Sequence, residues 1–248
     1  MVLLRDLLQT TQASISLTAF IDSALCVGAG GSSGSLADKP IIRAADGHLL
    51  IPGSQLKGRL RHECEKLARG LGWPICESPV PQSMCPQVGL TQSAFQRDNY
   101  IVERREHKAF ADGRPQHHCL ICQIFGNPAL PSRIVVDDLV CQVAPDTLPE
   151  VLRPGVTLNR RRRTAEDQKL FLLETSPVNV QLPFGGYIHL EPDCPSYAKA
   201  LILAALHHIH ALGGSKSAGL GWLTWAWDKD TATVDENAWE LLQMGSNP

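Results

Sequence analysis

The chain has 248 residues, of which 44% are hydrophobic and 19% charged, and a formal net charge of −2. That composition fits a globular protein able to bury a sizeable core, and no global charge demands a polyanionic partner. No apolar run approaches the roughly 20 residues that span a bilayer, so no membrane partner is expected.

The opening MVLLRDLLQTT carries Asp6 and no long apolar stretch, so it does not read as a signal peptide; a cytoplasmic protein is expected. Residues 14–22 alternate Ile15, Leu17, Ala19 and Ile21 with polar or small neighbours, which is strand periodicity. A Gly/Ser loop follows at 27–35, then short strands at 41–43 and 49–51 around a turn at Asp46-Gly47. A helix starts with Ser54 as N-cap and carries Leu56, Leu60, Cys64, Leu67 and Leu71 on one face, with Gly70 and Gly72 ending it. Residues 73–133 lack core periodicity and look like an insertion held by something other than a core. A strand at 134–143 precedes the Arg-rich segment 156–178, and 178–190 reads as a strand pair around Gly185-Gly186. SYAKALILAALHHIHAL is a second long helix, and a second glycine loop leads into the last strand, LTWAW. The order of elements suits an α+β sheet sandwich of ferredoxin type with insertions.

Charge is local rather than global. Arg160, Arg161, Arg162 and Arg163 are consecutive, and Lys57, Arg59 and Arg61 crowd one short segment. Asp228, Asp230, Asp235, Glu236 and Glu240 gather near the C-terminus. Basic patches on a nearly neutral chain fit a groove-shaped anion site. The helix start at Pro52-Gly53-Ser54, with Lys57 and Arg61 one turn inside, can hold a phosphate or can be a capped surface helix with solvated cations. The loop from Gly213 to Gly221 lets backbone approach a ligand and adds Lys216, or it is a flexible connection; it is not a Walker loop, because loop and helix come in the wrong order.

There are eight cysteines. In a chain of this size and expected compartment, metal or redox chemistry is a sharper reading than disulfides. Cys76 and Cys85, with the C-x-x-C pair Cys119 and Cys122, would explain the insertion through a structural zinc on four thiolates; free buried thiols are the alternative. His117, His118 and Cys64 are substitute ligands. Cys26, Cys141 and Cys194 read as plain thiols, and His207, His208 and His210 as structural histidines. A zinc deaminase is ruled out, because His189-Leu190-Glu191 lies after the C-x-x-C and His118 stands where proline is required.

Five segments together resemble the RAMP superfamily of CRISPR proteins, and specifically the backbone subunit of type III effector complexes, the seventh Cas family. They are Leu25-Cys26-Val27-Gly28 with its glycine loop, Ser35 to Ile42 around Asp38, Ile51 to Arg61, Cys119-Leu120-Ile121-Cys122-Gln123-Ile124-Phe125-Gly126, and Gly213 to Gly221. Alone, Asp38 reads as a turn residue. The family often has a third Cys or His just before the C-x-x-C, a place held here by His117 or His118.

The resemblance implies a single RAMP domain over 1–248. Its RRM/ferredoxin-like palm would comprise 1–72, 134–155 and 178–248, its zinc-binding insertion 73–133, and its β-hairpin thumb 156–178. It implies that Ser54, Lys57, Arg61, Arg160, Arg161, Arg162, Arg163, Gly214, Ser215, Lys216 and Ser217 contact RNA. It makes a guide RNA (crRNA), the complementary target RNA, other effector subunits and neighbouring related backbone subunits the partners. Asp38 falls at the family's cleavage position. There it would hold Mg²⁺ while the substrate's own 2′-hydroxyl attacks in line, an antiviral endoribonuclease reaction. Two other readings stay open: an inactive RNA-binding scaffold, and a guide-processing endoribonuclease for which His48 is the early histidine.

Overall fold

Strand β1 (Ala13–Ile21) buries Ile15, Leu17, Ala19 and Ile21 on one face and turns Ser14, Ser16, Thr18 and Phe20 to the other, as the alternation requires. The computed structural model describes residues 13–28, 37–102, 109–110, 113–178, 180–228 and 233–243. The N-terminal segment with Asp6, most of the first glycine loop with Ser35 and Leu36, residues 103–108 and Asp230 lie outside them.

The chain is α+β. Around β1 an antiparallel sheet runs in the order β2-β4-β7-β1-β8, where β2 is Leu50–Ile51, β4 Leu139–Cys141, β7 Leu182–Leu190 and β8 Leu223–Trp227. Strand β3 (Ile134–Val136) pairs with the same edge of β7 as β4 does. The single strand expected over 134–143 is therefore interrupted. Val136 faces Ile188 while Val140 faces Gly185, so one extra residue is inserted at Asp137-Asp138, a bulge.

Gly185 and Gly186 do not turn the chain. They lie inside β7, opposite Thr18 and Leu17, which corrects the expected strand pair. Close packing explains them: a Cβ on Gly186 would meet Leu139 Cδ2 at 2.7 Å, and one on Gly185 would meet Gln142 Nε2 at 2.5 Å.

Helices α1 (Gly53–Gly70) and α4 (Ala198–His208) cover the inner face of the sheet, joining Leu56, Leu60, Cys64, Leu201 and Ile202 to the β1 core. The N-cap of α1 is Pro52, and Ser54 is exposed within the first turn. The expected Ser54 cap is replaced by the bulge: Gly53 N–H donates to Asp138 Oδ1 at 2.7 Å. A Cβ on Gly53 would lie 2.2 Å from Val136 O, so only glycine fits there. Helix α4 stops at His208, short of the expected end, and leaves His210 outside it.

Among its described residues the 73–133 segment holds two short α-helices, α2 (Val88–Thr91) and α3 (Leu120–Phe125), with two 3-10 turns between them. Its apolar residues extend the main core: Trp73, Val88, Phe95 and Tyr100 are buried in the same cluster as β1, Val102 is buried too, and Trp73 stacks on Tyr100 with centroids 6.1 Å apart. A C-terminal helix, α5 (Glu236–Gln243), was not expected; Leu242 O accepts the Trp73 indole N–H at 2.9 Å. None of the described helices is long and apolar enough to cross a membrane.

Strands β5 (Val151–Asn159) and β6 (Thr164–Thr175) form a separate two-stranded hairpin that begins earlier than the 156 expected.

Candidate nucleic-acid interface and metal centre

The base of the hairpin is stitched to the loop after β1. Leu172 N–H donates to Asp38 Oδ2 at 2.7 Å, and Asp38 N–H donates to Leu172 O at 3.0 Å. Lys39 bridges to Leu173 in parallel. Glu174 is buried, and its carboxylate accepts Ile41 N–H at 3.0 Å and Arg43 Nη2 at 2.9 Å. Ser176 Oγ accepts Leu25 N–H at 2.8 Å. Sequence reading missed Glu174; its signal is an acidic residue at the end of the apolar run LFLLET.

The glycine loop packs against the same segment. Gly214 N–H donates to Cys26 O at 2.6 Å, and Gly221 N–H to Ala24 O at 2.8 Å. Gly213 and Gly221 have φ of +85° and +73°, and a Cβ on Gly221 would lie 1.8 Å from Leu212 O. These positions demand glycine for both conformation and space. Between them Gly214, Ser215, Lys216 and Ser217 are exposed, with Lys216 Nζ donating to Gly213 O at 3.1 Å. Leu220 and Cys26 share a small apolar cluster with Ala24, onto which Leu173 packs. Asp38, itself exposed, bonds to Leu172, and the glycine loop reaches the adjacent Leu173 through Leu220 and Cys26, so both reach the foot of the hairpin.

Arg160, Arg161, Arg162 and Arg163 form the hairpin tip, and all are exposed. Asn159 Oδ1 accepts Arg161 N–H at 3.1 Å and Arg162 N–H at 3.0 Å, and Arg163 adopts φ +57°. The turn thus fixes the backbone of a tip whose four arginines are exposed. Leu158 and Leu170 on the same hairpin are also exposed.

The α1 cations are engaged within the chain. Lys57 Nζ donates to Ser132 Oγ at 2.7 Å and to Ile134 O at 3.2 Å. Arg61 donates to Glu65 Oε1 at 3.1 Å and to Gly126 O at 3.0 Å, and its Nη2 reaches Cys122 Sγ at 3.9 Å. The first free N–H of α1 already faces the Asp138 carboxylate, which is unfavourable for a phosphate at that point. Ser54 is exposed, and Lys57 and Arg61 join α1 to the 126–134 segment.

Cys76, Cys85, Cys119 and Cys122 are all buried, with their sulfurs within 4.8 Å of one another. Cys76 Sγ lies 3.5 Å from Cys122 Sγ and 3.7 Å from Cys119 Sγ. Tetrahedral zinc with Zn–S near ~2.3 Å sets its sulfurs about 3.8 Å apart. The four cysteines can thus hold a metal such as zinc. Hydrogen bonds from Cys119, then Cys122 and Cys85, pull the Cys76 thiol down, while Cys119, Cys122 and Cys76 push Cys85 up, as expected of sulfurs packed closely enough to share protons. Arg61 places a positive charge beside Cys122, which would offset the excess negative charge of four thiolates if they held a divalent ion.

The substitute ligands fall elsewhere. His118 is buried and its Nδ1 accepts from Asn127 Nδ2 at 3.0 Å. His117 is buried against Gly89. Cys64 is buried against α4, its thiol raised by desolvation and donating to Leu201 O at 3.7 Å. Burial likewise raises Cys26 and Cys141 and pushes Cys194 up to about 12, so none of them is a ready thiolate. His48 Nδ1 pairs with Asp46 at 3.1 Å. His207, His208 and His210 are exposed rather than packed in the core, and His207 meets Trp227 edge-on at 4.8 Å.

A family model of the RAMP superfamily matches residues 21–224. The chain belongs to the RAMP superfamily. No curated protein is a match for it. RAMP proteins generally bind CRISPR RNA and work in multi-subunit complexes, so at that level the chain is a CRISPR-associated RNA-binding subunit. The matched stretch spans the Asp38 loop, α1, the four cysteines, the hairpin and the glycine loop.

Proposed function

We propose that this RAMP protein is a guide-RNA-binding backbone subunit of a type III CRISPR effector complex that cuts the RNA paired with its guide. The observation that carries the reading is the convergence of the Asp38 loop and the glycine loop on the foot of an arginine-tipped hairpin. The strand order β4-β7-β1-β8, with α1 and α4 on one face, supports a ferredoxin-type palm, the cysteine-bearing 73–133 segment supports a zinc-binding insertion, and the β5–β6 hairpin supports a thumb. Exposed Gly214, Ser215, Lys216 and Ser217 suit the guide backbone, and Arg160 to Arg163 suit the duplex it forms. Lys57 and Arg61 act indirectly, by fixing α1, and this narrows the RNA-contacting set.

In the cutting step the substrate's 2′-oxygen forms a bond to phosphorus as the P–O5′ bond breaks. The products are a 2′,3′-cyclic phosphate and a 5′-hydroxyl. Among the described residues, three or more potential metal ligands gather only at the four cysteines, so Mg²⁺ at Asp38 would take its other ligands from RNA phosphates and water. Its contribution when bound would be to stabilise charge on the phosphate oxygens. Asp38 contributes an exposed carboxylate whose position is set by Leu172. The Leu172 bond also favours a second reading, in which Asp38 only anchors the hairpin of an inactive scaffold.

The test is RNA binding by the full chain as a function of salt. Neutralising Arg160 to Arg163 should weaken binding for every sequence alike, and each lost phosphate contact should flatten the slope of log K against log salt by about 0.7. An unchanged slope sinks the RNA-contacting role of the tip.

A further inference from the structure

The face of the sheet turned away from α1 and α4 carries a second constellation. Ser14, on β1, faces His189, on β7. The two ring nitrogens of His189 are both engaged, Nδ1 with Ser14 Oγ at 2.9 Å and Nε2 with Asp137 Oδ2 at 3.1 Å. Bonds from both ring nitrogens, to Ser14 and to Asp137, hold the imidazole in one plane. Tyr187, two residues earlier on the same face, stacks on it with centroids 5.8 Å apart and planes at 20°. Tyr187 is nevertheless 48% exposed.

Beside Tyr187 lies a cavity of ≈ 320 Å³ lined by Ser16, Thr18, Val140, Gln142, Gly185 and Tyr187, among others. Its floor follows from strand register: Ser16 faces Tyr187, Thr18 faces Gly185, and Gly185 faces Val140. Gly185 has no side chain to fill the space, and Gln142 leans over it. Among the described residues none that lines it is cationic, and the Asp137 carboxylate bonded to His189 is 41% exposed. Such a trough disfavours phosphate. An aromatic wall with an amide and two hydroxyls suits a neutral planar ring that has hydrogen-bonding edges.

We propose that this open sheet face holds one unpaired nucleobase of bound RNA, stacked on Tyr187 and hydrogen-bonded by Gln142, Ser16 and Thr18. The proposal rests on the RNA-binding reading above and adds a site separate from the hairpin and the glycine loop. His189 is a positioning residue: it holds the Tyr187 ring and does not touch the base. A protein partner is the lesser choice, because the trough is small and mixes hydroxyl and amide groups with apolar ones rather than presenting a broad apolar patch. Bases unpaired in an RNA stack on aromatic rings, and that contact carries no charge.

The experiment uses the full chain and a fluorescein-labelled single-stranded RNA of mixed sequence, with duplex RNA as comparison. Tyr187→Ala should weaken single-strand binding by about tenfold, leave the salt slope unchanged and affect duplex RNA little. Tyr187→Phe keeps the ring and should bind like the parent. Gln142→Ala should reduce the difference in affinity among homopolymers. If Tyr187→Ala binds RNA like the parent while neutralising Arg160 to Arg163 lowers affinity, the proposal is overturned and the RNA-binding reading stands. If the parent itself binds no RNA, both fall together. If Tyr187→Ala keeps RNA binding but lowers self-association in sedimentation, the face belongs to a protein partner and the proposal is likewise overturned.

Discussion

The carboxylate of Asp38 accepts the backbone N–H of Leu172 at 2.7 Å, so the residue proposed to act on RNA also seats the hairpin. Substitution by alanine therefore removes two things at once. Asp38→Asn keeps an acceptor for Leu172 and removes the charge. We expect Asp38→Asn to bind guide RNA with parental affinity and to lose Mg²⁺-dependent cutting of the complementary strand, read by gel analysis of end-labelled products. Asp38→Ala should in addition lose about 1 kcal/mol of stability through the missing hydrogen bond. Cutting by Asp38→Asn at the parental rate would leave Asp38 as an anchor and the chain as a scaffold. A 2′-deoxy substitution at the scissile nucleotide should block cutting by the parent.

The four sulfurs within 4.8 Å of one another should bind about one zinc per chain in reduced protein, measured by elemental analysis. Protons compete for thiolates, so metal content should fall as the pH is lowered. Cys85→Ser should lose the metal. His118→Ala should retain it, because the His118 ring is turned to Asn127. A His118→Ala protein without zinc would show that the ligand set is different.

Arg61 joins α1 to both Gly126 O and the Cys122 sulfur. Arg61→Ala should speed zinc loss to a chelator by about 10-fold or more, the size usual for an outer-shell partner. It should change the salt dependence of RNA binding less than neutralising the hairpin tip does. A loss of salt dependence equal to that of the tip variant would place Arg61 on the RNA after all.

Two glycines should respond in opposite directions. Gly58 is exposed in the middle of α1, and a Cβ added there would meet nothing within 4 Å, so Gly58→Ala should raise stability by about 0.5–1 kcal/mol. Gly221→Ala would strain a φ of +73° and drive a methyl against Leu212 O, and should cost about 3 kcal/mol or more. Thermal unfolding followed by circular dichroism reads both. A destabilised Gly58→Ala protein would mean that α1 carries a contact on its outer face.

By itself the sequence determined the elements with strong periodicity: β1 by its alternation, α1 by its apolar stripe, and β8. It also marked the cysteine pairs, the arginine run and the glycine loop, because those signals are local in composition. What it could not carry was the meaning of residues whose partners are distant in the chain. Gly185-Gly186 read as a turn, since sequence shows flexibility and not the Leu139 and Gln142 side chains that crowd them. Ser54 read as a cap, since only the β3–β4 bulge brings Asp138 to the helix start. Lys57 and Arg61 read as cations for a phosphate or for solvent, because the carbonyls that accept from them lie far along the chain, at 126 and 134. Tertiary structure alone decided that Asp38 and the glycine loop both reach the Leu172-Leu173 foot of the hairpin, and that Ser14, His189 and Asp137 form one chain of hydrogen bonds. Strand pairing and loop closure create such contacts, and residue spacing does not encode them.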